Sequence, residues 1–203
     1  QGSLEYCELF QFKLFHKINK NKFCYKTVEL NNISSKNCYF FLDYISQDGF
    51  QADTLIIKPE LSSWTFEYTN ILLNKLLSTI ISIKNVDISK VPITASSLQS
   101  FCQFILNCNM NSNYYLWMNS FDFYAYYHLN NQHKFIIPKN VNITLDVDTE
   151  YMSYIRYLQD KSKYTFGPDS ITKLNFIDPS ITKRSLTDFF TSCKQKPFYR
   201  VTS

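Results

Sequence analysis

Apolar residues recur at two different spacings along this chain, and the spacing switches repeatedly. In "LEYCELFQFKLFHKI" (4–18) they fall at 6, 9, 10, 14 and 15, roughly the spacing of a helix, although the Phe content would also suit a strand. "KFCYKTVEL" (22–30) alternates as a half-buried strand does, "NNISSKN" is a turn cluster, and "CYFFLDYI" (38–45) reads as a second strand from its aromatic content. "FQADTLIIK" (50–58) is a third strand, closed by Pro59. Helical spacing then resumes at "WTFEYTNILLNKLLSTIISI", with Ser62 and Ser63 as candidate caps. The polar stretch "KNVDISKVP" (84–92) reads as a joint. Beyond it come a short amphipathic helix ("TASSLQSFCQFIL", capped by Thr94 or Ser96) and the strands "NYYLWMNSF", "DFYAYYHL", "KFIIP" and "NITLDV". The last helical segments are "TEYMSYIRYLQDK", for which Asp146, Asp148 or Thr149 is a candidate cap, and, in a tail after Gly167-Pro168, "TKRSLTDFFTSC".

Two phrases in this pattern resemble each other. "TLIIKPELSSWTFEYTNILLNKLL" (54–77) and "KFIIPKNVNITLDVDTEYMSYIRYL" (134–158) both carry Ile-Ile beside a proline, a polar stretch, a Thr/Glu/Tyr cluster and then a helical apolar run. The expectation is an α+β protein of two tandem units, each a helix, an antiparallel meander and a helix. Residues 4–90 form the first unit and 91–203 the second, closed by its own C-terminal helix; residues 1–3 read as a tag remnant.

Composition narrows the functions available. Of three glycines only Gly49 and Gly167 lie outside that remnant, so a glycine-rich phosphate loop cannot form. The formal charge of +4 is spread out, and the basic stretch "KINKNKFCYK" reads as a solvated turn. Six cysteines without a Cys-x-x-Cys pair lie in apolar contexts, as reduced buried thiols of an intracellular protein do. No apolar run is long enough to span a membrane. Asp146 and Asp148 sit at a strand end, suited to capping rather than acid–base work. No nucleophile elbow occurs, and His16, His128 and His133 have no orienting acid nearby. The expectation is therefore no catalytic residue, no metal and no cofactor.

Two linear features point to partners. "LFQFKLFHKI" holds more apolar residues than one helical face buries, and "NYYLWMNSFDFYAYY" has aromatics on both strand faces. These single out Phe10, Phe12, Phe15, Tyr115 and Trp117 as partner-binding candidates. "KRSLTDFF" (183–190) resembles the peptide by which replication and repair factors plug a sliding clamp, with Leu186, Phe189 and Phe190 as the plug, though Lys183 stands where a glutamine is usual. Against this, the same three residues suit a helix packed on its own domain.

Helix–meander–helix units in tandem look like paired RWD domains. The corner "LIIKPELSSWTFEY", the run "FDFYAYYHL" to "HKFIIPKNVNITLDV" and the tail "DPSITKRSLTDFF" resemble the centromere protein O family of the inner kinetochore. The resemblance spans most of the chain. It implies a nuclear, non-catalytic scaffold at the centromere that pairs with a double-RWD homologue of centromere protein P. The pair would join homologues of centromere proteins Q and U, and a coiled-coil segment would precede this chain; direct DNA contact is left open. Because RWD and ubiquitin-conjugating folds are related, an exposed reactive thiol is a further reading, with Cys102 and Cys108 as the residues to inspect.

Overall fold

The computed structural model describes residues 25–47, 51–79, 83–108, 110–120, 122–123, 137–154, 171–192 and 200–202. Seven strands form one sheet in strict chain order: β1 (Tyr25–Ile33), β2 (Ala52–Pro59), β3 (Ile83–Asp87), β4 (Asn113–Asn119), β5 (Val141–Val147), β6 (Ile171–Phe176) and β7 (Arg200–Thr202). Every neighbouring pair is parallel. The described helices between them are α1 (Ser35–Gln47), α2 (Phe66–Thr79), α3 (Ala95–Cys108) and α4 (Lys183–Ser192), with a further helical stretch at 149–154. Val28 pairs with Leu55, Leu55 with Val86, Val86 with Tyr114 and Tyr114 with Val141, in steps of 27, 31, 28 and 27 residues. This is a β–α solenoid, the class of architecture that leucine-rich repeats use.

Each strand buries one face. In β5, Val141, Ile143, Leu145 and Val147 are buried while Asn142, Thr144 and Asp146 between them are half-exposed. Val28 and Leu30, Leu55 and Ile57, Val86, and Tyr114, Leu116 and Met118 occupy the same inward positions. There they meet Phe41 and Leu42 of α1, Leu72, Leu73, Leu76 and Leu77 of α2, and Leu98, Phe101 and Ile105 of α3 in one core. Phe101 and Tyr114 touch edge to face, with centroids 5.1 Å apart.

The corner from strand to helix follows one rule six times. A Ser, Thr, Asn or Asp accepts the backbone N–H three residues on: Ser34 from Asn37, Thr65 from Tyr68, Thr94 from Ser97, Asn119 from Asp122, Asp148 from Tyr151 and Thr182 from Ser185. These bonds measure 2.7–3.4 Å. The residue before each cap and the one four after it turn inward, as Ile33 and Cys38, Trp64 and Thr69, Ile93 and Leu98, Met118 and Phe123, or Val147 and Met152 do. Ile181 and Leu186, half-buried, hold the same places in the last unit. Units 3 and 6 even share letters, "ITASSLQSF" against "ITKRSLTDF".

Polar side chains tie each unit to the next. Trp64 Nε1 donates to the Ile33 carbonyl at 2.9 Å, and Ser35 Oγ donates to the Ser63 carbonyl at 2.9 Å. Ser97 Oγ donates to Asn70 Oδ1 at 2.8 Å, and Asn140 Nδ2 reaches the carbonyls of Met110 and Ser112 at 2.9 and 2.7 Å. Thr149 donates to Asp178, whose carboxyl is thereby lowered to about 2, with the N–H and hydroxyl of Ser180 assisting. Asn32, at φ 46°, takes the left-handed turn that Asn tolerates, next to a shift of register between Leu30 and Ile33.

Several expectations need correction. The mixed helix-and-strand content is as expected, but the described residues contain no antiparallel meander and show no tandem RWD units. A parallel sheet covered on both faces reads as a continuous apolar run; the described helices cover this one on one face only, so its strands alternate like antiparallel ones. Residues 38–45 lie in α1: Cys38, Phe41, Leu42 and Ile45 are its inward face, and the strand-favouring aromatics Tyr39 and Phe40 point outward. The expected joint at 84–92 contains β3, bonded to β2 on one side and β4 on the other, so one sheet runs across residue 90. "ITKLNF" (171–176), left in the tail by the sequence, is β6. The predicted first helix, and strand residues 124–136, lie outside the described residues.

If the repeated corner and inward face hold the units together, Phe101→Ala should cost about 3–5 kcal/mol. Thr94→Ala should cost about 1 kcal/mol. Urea unfolding followed by circular dichroism measures both; a Phe101→Ala variant as stable as the parent would contradict the packing.

Candidate binding face

Among the described residues, no element covers the side of the sheet away from the helices. One row of register partners crosses five strands: Glu29, Ile56, Asp87, Tyr115 and Asn142. A second runs Trp117, Thr144, Lys173 and Arg200, and a third Asn119, Asp146, Asn175 and Thr202. Strand alternation sends the residues of these rows on β1 to β6 outward because the positions between them are held by the core. Tyr115 is 40% exposed and Trp117 half-buried, so one aromatic pair stands at the centre of a mostly polar surface.

Neighbouring strands exchange polar contacts across this surface. Glu29 pairs with Lys58, whose hydrogen bond holds the Glu29 carboxyl below its usual range. Asn175 Nδ2 donates to Asp146 Oδ1 at 2.7 Å; Lys84 and Asp53, 2.6 Å apart, also link β2 and β3, but at positions in step with Leu55 and Val86, on the other side of the sheet. The ion pairs are solvent-facing and each contributes at most about 1 kcal/mol.

At the C-terminal ends of β3, β4 and β5 the face opens into a pocket of about 470 Å³. Ser89, Lys90 and Thr94 line one side, and Trp117, Asn119, Asp122 and Asp146 the other. Unequal corners create it. Val86, Tyr114 and Val141 are successive register partners, yet the cap Thr94 lies eight residues beyond Val86, Asn119 five beyond Tyr114, and Asp148 seven beyond Val141. The short fourth corner is thus recessed between two longer ones. The third corner is stiffened by an Asp87 carboxylate accepting the Ser89 N–H at 3.0 Å and by a Val91 N–H to Ile88 carbonyl bond of 3.0 Å. Lys90 leans over the pocket with Nζ 4.5 Å from the Trp117 ring centroid. Trp117 Nε1 is buried without an acceptor among the described residues. Asn119 and Asp122 bond each other, amide to carboxylate, at 2.9 Å.

Of the residues singled out by sequence, Tyr115 and Trp117 come together on one strand and one face. Phe10, Phe12 and Phe15 lie outside the described residues. Leu186 and Phe189 go elsewhere: Leu186 packs half-buried against the core and Phe189 is 0% exposed within it, with Phe190 next along α4. Of the candidate caps before 149–154, Asp148 is the one that caps; Asp146 points outward to Asn175 and the pocket. Lys90, Asp122 and Asp146 are missed as a cluster when the repeat is read at the wrong period; the caps Thr94, Asn119 and Asp148 are the signal that places residues 90, 122 and 146 in adjacent units.

The cysteine reading can be placed in part. Cys38 and Cys102 are buried, and burial pushes the Cys38 thiol up to about 12, far from the thiolate a nucleophile needs. Cys108 is exposed in the last turn of α3. Among the described residues no three His, Cys, Asp or Glu side chains are grouped to hold a metal ion, and no helix is long and apolar enough to cross a membrane. Compared with protein-family models and with curated proteins, the chain matches none.

Iodoacetamide applied to the native protein at mild alkaline pH, followed by peptide mapping, should modify Cys108 and spare Cys38 and Cys102 until denaturant is added. Native labelling of Cys38 would contradict its place in the core.

Proposed function

We propose that this protein is a non-catalytic scaffold that holds a protein partner against the open face of its sheet. The observation that carries the reading is the pair Tyr115 and Trp117, placed on a surface to which strands β1 to β6 contribute. Aromatic anchors ringed by polar groups are the arrangement in which interfaces concentrate binding energy. Solenoids present extended sheet surfaces of this kind. The strand order never reverses, so the sheet offers no switch-point crevice of the sort that open α/β enzymes use for nucleotides.

The kinetochore form of this proposal names the partner: a centromere protein P homologue, with Q and U homologues beyond it, at the centromere in the nucleus. It rests on the sequence resemblance alone, since the meander that would support it architecturally is absent from the described residues. The sliding-clamp form has less support. Its plug would have to withdraw Phe189 from the core, at a cost of about 1.5–3 kcal/mol, and "SLTDF" is matched by "SLQSF" in α3, an ordinary helix of the solenoid.

A photo-crosslinking amino acid at position 115 should give a discrete adduct in extract from the native cells. The same group at Leu106, exposed on α3, should not. Co-expression with a centromere protein P homologue then tests whether that protein is the adduct. Adducts at 106 and none at 115 would overturn the assignment of the sheet face.

A further inference from the structure

The pocket beside Trp117 has a chemistry of its own. Resting on the sheet-face reading, we infer that it receives a basic side chain, guanidinium or ammonium, projecting from the bound partner. Three observations point to this. First, the Trp117 ring already holds a cation, the Lys90 ammonium at 4.5 Å, and an indole face is the most favourable aromatic surface for one. Second, Asp122 and Asp146 line the same hollow, each engaged by an asparagine amide at one oxygen, so carboxylate acceptor capacity remains for a second donor. Third, the Trp117 indole N–H is buried and has no acceptor among the described residues, so the ring is tied to no other polar group and its face is what the hollow presents. Lys90 is an exposed residue on the third corner and can swing into solvent. It thus occupies the place of the incoming cation and yields it. An acidic ligand fits poorly, because it would meet two carboxylates and gain only Lys90. The recessed fourth corner sets the specificity: a corner three residues longer, like the third, would fill the hollow.

The test needs no identified partner. The chain has two tryptophans. Trp64, bonded to the Ile33 carbonyl, serves as the internal control for Trp117 in a spectrum of indole N–H resonances. Titration with short arginine-rich or lysine-rich peptides should move the Trp117 resonance to saturation and leave Trp64 still, and comparing the two peptides tells guanidinium from ammonium. Lys90→Gln should tighten binding about threefold or more by freeing the ring. Asp146→Asn and Asp122→Asn should each weaken it about tenfold, with unchanged circular dichroism. A glutamate-rich peptide that moves Trp117, no movement with either basic peptide, or weaker binding after Lys90→Gln would overturn the inference. The crosslinking experiment reads the whole face and this titration only the pocket, so either can fail while the other stands.

Discussion

No unit of this chain can bury its own apolar face; only the next unit along can do that. A single strand with Val28 and Leu30 on one side, joined to a helix with Phe41 and Leu42 on one side, leaves most of that surface uncovered. Stacking a second strand and helix at the same register covers it and exposes a new edge, which the third unit then covers. Stability in such a structure is close to a sum over neighbouring pairs. The polar ties at separations near one repeat, Trp64 to Ile33, Ser97 to Asn70 and Asn140 to Met110, fix the register between pairs. The repeated corner cap makes this possible, because it sends each helix back over the same side of the sheet.

The functional surface follows from the same constraint. Since the described helices are drawn to the inward face, no described element packs on the outward one, and its residues need not fit a core. That freedom is why Tyr115 and Trp117 stand out there, and why charged and amide side chains can bridge strands without burial. Variation in corner length does no harm to the core, because the cap reforms wherever the next Ser, Thr, Asn or Asp lies. It does shape the rim. Five residues from Tyr114 to its cap, between eight and seven in the neighbouring units, leave the hollow that Lys90 and Trp117 share.

Much of the local structure was legible in the sequence, and the global arrangement was not. The alternation of "NITLDV", a short helix at 94–106 capped by Thr94 or Ser96, and the Asp178-Pro179 turn could be read from period and cap chemistry; the structure has them, the helix at Ala95–Cys108 with Thr94 as the cap. Direction of pairing could not, because one-sided burial gives the same alternation whether strands run parallel or antiparallel. The aromatic run at 38–45 misled for a related reason: β-propensity reports fit to a half-buried surface, and an outward-facing helix position can carry Tyr or Phe as well. The similarity between residues 54–77 and 134–158 is not the structural repeat. Leu55 is in register with Val141 through Val86 and Tyr114, so the two Ile-Ile phrases stand at different places, one in β2 and one ahead of β5. The informative repeat was shorter, an apolar residue, a cap and an inward residue four further on (apolar in every unit but the second, where it is Thr69), recurring about every thirty residues. For the site, the aromatic pair was visible as sequence, whereas the company of Lys90, Asp122 and Asp146 depends on stacking.

The central claim is a single parallel sheet in chain order with one open face. Nitroxide labels on that face at Glu29, paired in turn with labels at Asp87, Tyr115 and Asn142, test it most directly by electron paramagnetic resonance. Because strands lie about 4.8 Å apart, the backbone separations should step up as two, three and four spacings, about 10, 14 and 19 Å. A regular ladder of label distances with those increments is the expected result. Distances that do not rise in chain order, or a break between positions 87 and 115 where two separate units would meet, would contradict the solenoid and with it the face on which the functional reading stands.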